Sequence, residues 1–515
     1  MSFVDEGRER ISSVQSIENI LDASKNPMLH KRLASNLSSF VNMTNTLVGA
    51  GVLGLPYAFA STGFVLGPIF LGLAMLFAWI GLHLIACVAA KTGFPSTLYS
   101  ASRPVNKYLP LVFDALVLLQ LFGAACAYLI IIGDLMPEVF IQLGYGGFWV
   151  QRYVWVLIGF SFAAPFSVPH EIDFLKFTSA VCVLFIAYVA ATVLVYALSD
   201  SPAGDPCDNQ VLADDTQPCH GHSVVVEGIT GLGVLKVLSF FIFGYCCHVS
   251  AFPIVSEVKK ATVENMDRVW LASLLMCSLI YFTVAVCGYH TYGSSARSDI
   301  LLNYPAKGAM TIARLMICFV VTFSFPLQAN PARRSVMTML HALLDDADEE
   351  PSVATIRLRY GLVTAIFLGV ALLVGLTVDD LGEVIAVIGA TGGTTIMFLV
   401  PGGLYLYHFP LNEEADSKDV KEHLLSSSNS SSPNLVVLDS PPEASGLHER
   451  LMPEYDREEG EGDYTEATTD GDVALRSLVK DMPIPKVTKF WRTVAWIQLT
   501  LGLILMPVTL VAIFI

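Results

Sequence analysis

Apolar runs of spanning length recur along this chain, and they dictate its fold class. A helix needs about 20 largely apolar residues to cross the hydrocarbon core of a bilayer. Runs of that length fall at 38–61, 64–90, 109–135, 151–169, 175–199, 232–254, 268–292, 309–329, 359–378, 382–407 and 490–514. They predict eleven transmembrane helices and an all-α membrane protein. Composition agrees. The 515 residues are 54% hydrophobic and 15% charged, where soluble domains carry about 25% charged residues.

The first run departs from what an anchor would use. Residues 40–63 read FVNMTNTLVGAGVLGLPYAFASTG. Asn42, Thr44, Asn45 and Thr46 come first, then Gly49, Gly51 and Gly54, then Pro56. In a helix interior Pro costs about 3 kcal/mol and Gly about 1 kcal/mol. Broken backbone survives at membrane depth only where it is buried in protein or lines a cavity. The run is therefore expected to break near residues 49–54 and to hold something there. The sixth run repeats the pattern. Within GLGVLKVLSFFIFGYCCHVSAFPIVSEV, Gly244, Tyr245, His248, Ser250 and Pro253 interrupt an apolar sequence. Two interrupted helices at corresponding positions of two halves point to a transporter binding site between inverted repeats, here helices one to five and six to ten. Half-helix N-termini favour an anionic group, and unwound carbonyls favour a cation. Gly49, Ala50 and Gly51 carry no bulky side chain, so a small solute can approach their N–H groups. An amino acid offers both a carboxylate and an ammonium group at that size.

Lys and Arg set the expected orientation. They crowd the N-terminal tail and the segments holding Lys91, Arg103, Lys107, Lys259, Lys260, Arg333, Arg334, Arg357 and Arg359. The opposite side keeps Arg297 and Lys307, with Arg152, Lys236 and Arg314 at helix edges. This predicts a cytoplasmic N-terminus and a non-cytoplasmic C-terminus. Lys236 and Arg314 are expected to snorkel to the interface. The expected organisation is a cytoplasmic tail (1–36), a transporter core (37–410), an acidic cytoplasmic insertion (411–488) and a last helix (489–515). Within the core, 200–230 is a non-cytoplasmic loop. Cys207 and Cys219 lie in that loop, where an oxidising compartment would join them as a disulfide. The net charge of −16 is concentrated in the insertion. That segment is too polar to bury a core of its own and is expected to be disordered, with Ser, Thr and Tyr as candidate phosphorylation sites and room for cytoplasmic partners.

Three segments carry a resemblance to a known family: NTLVGAGVLGLPYAFASTG from Asn45, FGYCCHVSAFPIVSEV from Phe243 and RLMICFVVTFSFPLQANPARRSV from Arg314. The chain resembles the amino acid/auxin permease family, which includes sodium-coupled neutral amino acid transporters and fungal vacuolar amino acid transporters. The resemblance covers about 35–410 and 490–515 and leaves out the insertion. It implies a LeuT-like 5+5 inverted-repeat fold and secondary active transport of amino acids, coupled to protons or sodium. It implies that Asn45, with Thr322 or the neighbouring Ser324, supports a sodium site. Oxygen ligands suit such a cation. The segment around 325–333 is nearer to the vacuolar group, which favours protons and a vacuolar or lysosomal membrane; the plasma membrane remains open.

The expected substrate-lining residues are Gly49, Ala50, Gly51, Phe243, Gly244, His248 and Ser250. Each polar candidate has a structural reading too. Asn45 and Thr322 could be interhelical hydrogen bonds, each worth about 0.6 kcal/mol in a membrane. His248 could be a satisfied core histidine or a pH-sensitive group on the pathway. His83, Asp114 and Gln120 also lie in apolar runs, where polar groups are candidates for function; a structural role is expected for Asp114. No GxxxxGK[ST], HExxH or CxxC pair occurs, so no enzymatic activity and no cofactor beyond the coupling ion is expected. No basic, aromatic-interleaved stretch suggests nucleic acid. A second reading is a non-transporting amino acid sensor signalling through its cytoplasmic segments.

Overall fold

A computed structural model describes residues 35–92, 109–168, 175–198, 232–258, 262–305, 308–344, 352–410 and 488–514. The loop with Cys207 and Cys219, most of the N-terminal tail and the acidic insertion lie outside the described residues. Contacts divide the chain into a helical unit, Met1–His408 with Ile484–Ile515, and a second unit, Phe409–Pro483. Of the second unit only residues 409 and 410 are described.

The helical unit contains α1 (Asn36–Leu47), α2 (Gly51–Ala60), α3 (Gly63–Thr92), α4 (Leu109–Gln142), α5 (Arg152–Ser167), α6 (Leu175–Leu198) and α7 (Leu232–Gly244). It continues with α8 (Ala251–Glu257), α9 (Val263–Tyr292), α10 (Gly308–Leu344), α11 (Val353–Thr377), α12 (Leu381–Ile388), α13 (Val400–His408) and α14 (Lys489–Phe514). No β-strand forms among the described residues. Nine helical stretches there are long and apolar enough to cross a membrane. The protein is a multi-pass membrane protein.

The expected count of eleven drops to nine by this measure for two local reasons. The first span is divided into α1 and α2. The fourth, α5, has 16 residues and is about 24 Å long, short of the roughly 30 Å of a bilayer core. The tenth span is also not one regular helix. Between α12 and α13 the chain passes through π turns at Gly389–Gly393 and Thr395–Leu399. The small residues there admit close neighbours. A Cβ on Gly392 would meet the Gln120 Cβ of α4 at 2.7 Å. Gln498 of α14 donates to the Met397 carbonyl at 2.8 Å, securing α14 to this irregular segment.

Two arginines, one expected to snorkel at a helix edge and one among the cytoplasmic basic residues, are both buried. Arg314 is 1% exposed and donates through Nη2 to the carbonyls of Leu301 and Tyr304, at 2.8 and 2.7 Å. It holds the α9–α10 connection and does not snorkel, because loop carbonyls inside the protein offer it acceptors. Arg333 lies within α10, which runs well past the expected end of that span. Its Nη1 donates to the Ser167 carbonyl at 2.7 Å, satisfying the end of α5, and its guanidinium lies 4.0 Å over the Tyr360 ring.

Candidate functional site

The two broken spans meet. α1 ends when Val48 N–H closes on the Thr44 carbonyl, and Gly49 N–H then turns to the Leu47 carbonyl at 3.0 Å. α2 begins at Gly51 with Ala50 as its cap, and no side chain caps its first turn. The chain can turn this sharply because residues 49–51 are Gly-Ala-Gly. α7 ends at Gly244. Residues 245–247 are irregular, His248–Ser250 forms a 3-10 turn, and α8 follows. A Cβ added to Gly51 would stand 3.0 Å from the Gly244 Cα and 3.4 Å from the Phe243 ring. The breaks therefore approach backbone to backbone, and a side chain at 51 would hold them apart.

Tyr281 of α9 joins them. Its hydroxyl lies 2.5 Å from the Leu47 carbonyl and 2.8 Å from the Gly244 carbonyl. One hydroxyl has one proton to donate, so it serves one of these carbonyls at a time. The Leu47 carbonyl also takes the Gly49 N–H, and the Gly244 carbonyl keeps capacity for another donor. Tyr245 stands beside this point, its ring in edge contact with Tyr281 at 5.3 Å and its hydroxyl 2.6 Å from Ser278 Oγ. On the other side, a Cβ on Gly49 would meet the Tyr128 hydroxyl of α4 at 2.8 Å. That hydroxyl accepts from Gln328 Nε2 of α10 at 3.3 Å. The site thus has bare backbone from the two breaks and hydroxyls from α4 and α9.

Gly49, Ala50, Gly51, Phe243 and Gly244 come together here. His248 and Ser250 occupy the 3-10 turn beyond the second break. His248 is buried, with Nε2 3.1 Å from the Ala78 carbonyl of α3 and the added Cβ position of Gly81 only 2.6 Å away. Its ring is turned toward α3. Asn45 donates through Nδ2 to Ser179 Oγ of α6 at 3.2 Å, and its Oδ1 is buried with no hydrogen-bond partner. Thr322 donates to the Cys318 carbonyl of its own helix at 2.7 Å. Ser324 is buried, its hydroxyl without a partner. Gly54 serves packing: its Cβ would meet the Phe240 ring at 2.7 Å.

Sequence reasoning missed Tyr128, Tyr281 and Gln328. Their only signal is a hydrogen-bonding group within an apolar run, the criterion that drew attention to Gln120 and His83. Nothing local distinguishes a tyrosine that meets a helix break from one that packs in a core.

A cavity of about 490 Å³ lies one to two turns from the breaks, along α2 and α7. Its wall includes Tyr57 of α2, Lys236 of α7, Asp134 of α4 and Asp299 of the α9–α10 connection.

A multi-pass helical protein whose two broken helices meet inside it has the architecture of a solute carrier. The chain belongs to the transmembrane amino acid transporter protein family, whose model matches residues 32–427. It is 29% identical over 382 residues to vacuolar amino acid transporter 5 of Schizosaccharomyces pombe, covering 74% of this chain and 86% of that protein. It is 29% identical over 409 residues to vacuolar amino acid transporter 6 of Saccharomyces cerevisiae, covering 72% and 89%. It is 27% identical over 399 residues to human sodium-coupled neutral amino acid transporter 7, covering 76% and 82%. The family and these relatives are transporters, not enzymes.

Proposed function

We propose that this protein is a secondary active amino acid transporter that works by alternating access and couples transport to protons or sodium. One observation carries the reading: the freed carbonyls of Leu47 and Gly244 converge on Tyr281 beside the side-chain-poor backbone at Gly49, Ala50 and Gly51. The first turn of α2 has no side-chain cap, and its positive dipole end faces the substrate carboxylate. The carbonyls of Leu47 and Gly244 receive the ammonium group. Phe243 closes the site over the α-carbon. Tyr128 stands where it can donate to the carboxylate, because its hydroxyl is an acceptor toward Gln328 and its own proton is left for another partner.

Asn45 and Thr322 support the coupled cation. The unpartnered Oδ1 of Asn45 is the oxygen available to it. His248 and Ser250 position the second break against α3. The eleven-helix count, with a LeuT-like inverted repeat, accommodates both irregular spans: α1 with α2 is the first, and α7 with α8 is the sixth. The N-terminal tail and the 411–488 insertion are cytoplasmic, the C-terminus non-cytoplasmic, and the membrane vacuole-like, as the names of two relatives suggest.

Uptake of radiolabelled amino acids into proteoliposomes, with imposed proton and sodium gradients, tests this reading. Wild-type protein accumulates one or more amino acids under one gradient, and Gly51→Leu does not. Equal uptake by the variant, or binding without movement under both gradients, sinks the proposal.

A further inference from the structure

The α9–α10 connection contains a buried acid to which the proposed substrate chemistry gives no part. Asp299 is 1% exposed. Its Oδ1 accepts from the Leu301 N–H at 3.0 Å. Its Oδ2 is buried and has no hydrogen-bond partner. Arg314 of α10, whose charge acts on Asp299, directs Nη2 at the Leu301 and Tyr304 carbonyls and leaves Nε and Nη1 without partners.

The neighbouring acids are better served. Asp134 of α4 pairs with Arg152 Nε at 2.8 Å, and Asp379 of the α11–α12 connection lies 3.1 Å from Arg152 Nη1. Asp380 accepts from Ser298 Oγ at 3.0 Å and from Gly382 N–H at 2.7 Å. All three share the wall of the cavity with Asp299, as do Lys236 of α7 and Arg297 of the same connection. Glu138 of α4 also acts on Arg314. Asp299 alone among these four aspartates is both fully buried and half-satisfied. Ionised, it is a poorly compensated charge inside the protein. Such a group is stabilised by taking a proton or by moving to water. The segment that would move, 293–305, packs on α2 immediately after the first break.

We propose that Asp299 is a proton-binding residue: protonated, it holds the 293–305 connection sealed against α2, and ionised, it releases that connection toward solvent. The inference rests on the transporter reading only for its purpose; the switch itself is a property of the loop.

The direction follows from linkage. Burial, and secondarily the charge of Asp134, push the Asp299 carboxyl up to about 7; the Leu301 N–H and Arg314 oppose them. In water the same group titrates near 4. The sealed position therefore binds the proton more tightly than the released one. Below about pH 4 both positions are protonated and neither gains. From there to about pH 7 the sealed position loses up to about tenfold in relative population per pH unit. Above that, the bias toward release is complete.

Cysteine accessibility tests the switch. The full chain carrying Leu302→Cys, a half-buried position on the cavity wall, is reconstituted and alkylated with a membrane-impermeant maleimide from pH 5.5 to 8.5. The rate is divided by the rate for the same protein with Asp299→Asn, after subtracting labelling of protein without the added cysteine. The division cancels the ionisation of the thiol. The ratio is expected to rise about tenfold or more with pH, with its midpoint at or below about 7. A flat ratio overturns the proposal. Where Asp299→Asn fails to fold, Asp134→Asn serves as the second arm: removing that charge moves the midpoint of labelling toward acid, and an unmoved midpoint overturns the proposal equally. The two readings fail separately. No uptake with a pH-dependent ratio defeats the transporter reading alone; uptake with a flat ratio defeats the Asp299 switch alone.

Discussion

The first helix break is short and almost without side chains, and the second is longer and crowded with them. Between α1 and α2 only residues 48–50 leave the helix, and a glycine stands at each end of the Gly49-Ala50-Gly51 triplet. Between α7 and α8 the regular helix is absent over 245–250, which carries tyrosine, two cysteines, histidine and serine. The first break is backbone with almost no side chain, and its Gly49 N–H already turns back to the Leu47 carbonyl. The second supplies a carbonyl and a wall of aromatic and polar side chains. In the proposed function a zwitterion uses both breaks: the N–H end of α2 for its carboxylate, and a carbonyl from each break for its ammonium group. Tyr281 of α9 is what joins the two breaks, through its contacts to the Leu47 and Gly244 carbonyls.

Gly51→Leu tests the comparison most severely. The side chain would start 3.0 Å from the Gly244 Cα, against backbone that cannot rotate away. Overpacking of this kind costs about 1–3 kcal/mol, and the breaks must separate to relieve it. Loss of uptake is expected, with the protein still inserted and monodisperse by gel filtration. Tyr281→Phe comes next. It takes the hydroxyl from the Gly244 carbonyl and leaves the Leu47 carbonyl with only the Gly49 N–H, a cost of about 1–3 kcal/mol for a buried acceptor left unsatisfied. A fall in kcat/KM of about tenfold or more is expected. If KM and kcat both hold, the hydroxyl does not join the breaks into a site.

Gly49→Ala is milder because its neighbour is the end of a side chain. The methyl would meet the Tyr128 hydroxyl at 2.8 Å, and a several-fold loss is expected. Measured in the Tyr128→Phe background, where that oxygen is gone, the added loss shrinks. Additive losses show that the two positions do not touch in the working protein. The smallest effect is expected at His248→Gln. The amide can still donate to the Ala78 carbonyl, and a membrane hydrogen bond averages about 0.6 kcal/mol, or roughly threefold. A much larger loss in KM alone places the imidazole on the substrate, contrary to its orientation toward α3.

Much of the candidate site is legible in the order of residues. Gly49, Gly51 and Pro56 in an apolar run are unfavourable for a plain helix, so the break shows itself as a local anomaly. Gly244 and Pro253 mark the second break in the same way. The closing partners are not legible. Tyr281 sits in an ordinary apolar stretch, LIYFTVAV, and Tyr128 in CAYLII resembles a core aromatic. Arg314 looked like a helix-end charge and is buried among loop carbonyls. Asp299 had no signal beyond being one acid in a short connection. The irregular course of 389–399 was hidden because glycine and threonine in a membrane helix also fit close packing.

By itself, the sequence determined the membrane class, the family and the positions of both helix breaks. These follow from short-range physics: apolar length against bilayer thickness, and the cost of glycine, proline and exposed polar backbone within a helix. Only the tertiary structure decided what the breaks face. It set Gly51 against Gly244, aimed one hydroxyl of α9 at two carbonyls, turned His248 toward α3 and left one oxygen of Asp299 without a partner. Each of those outcomes depends on residues far apart in the chain meeting at hydrogen-bonding distance, and the periodicity of a single helix carries no record of which neighbour its faces will find.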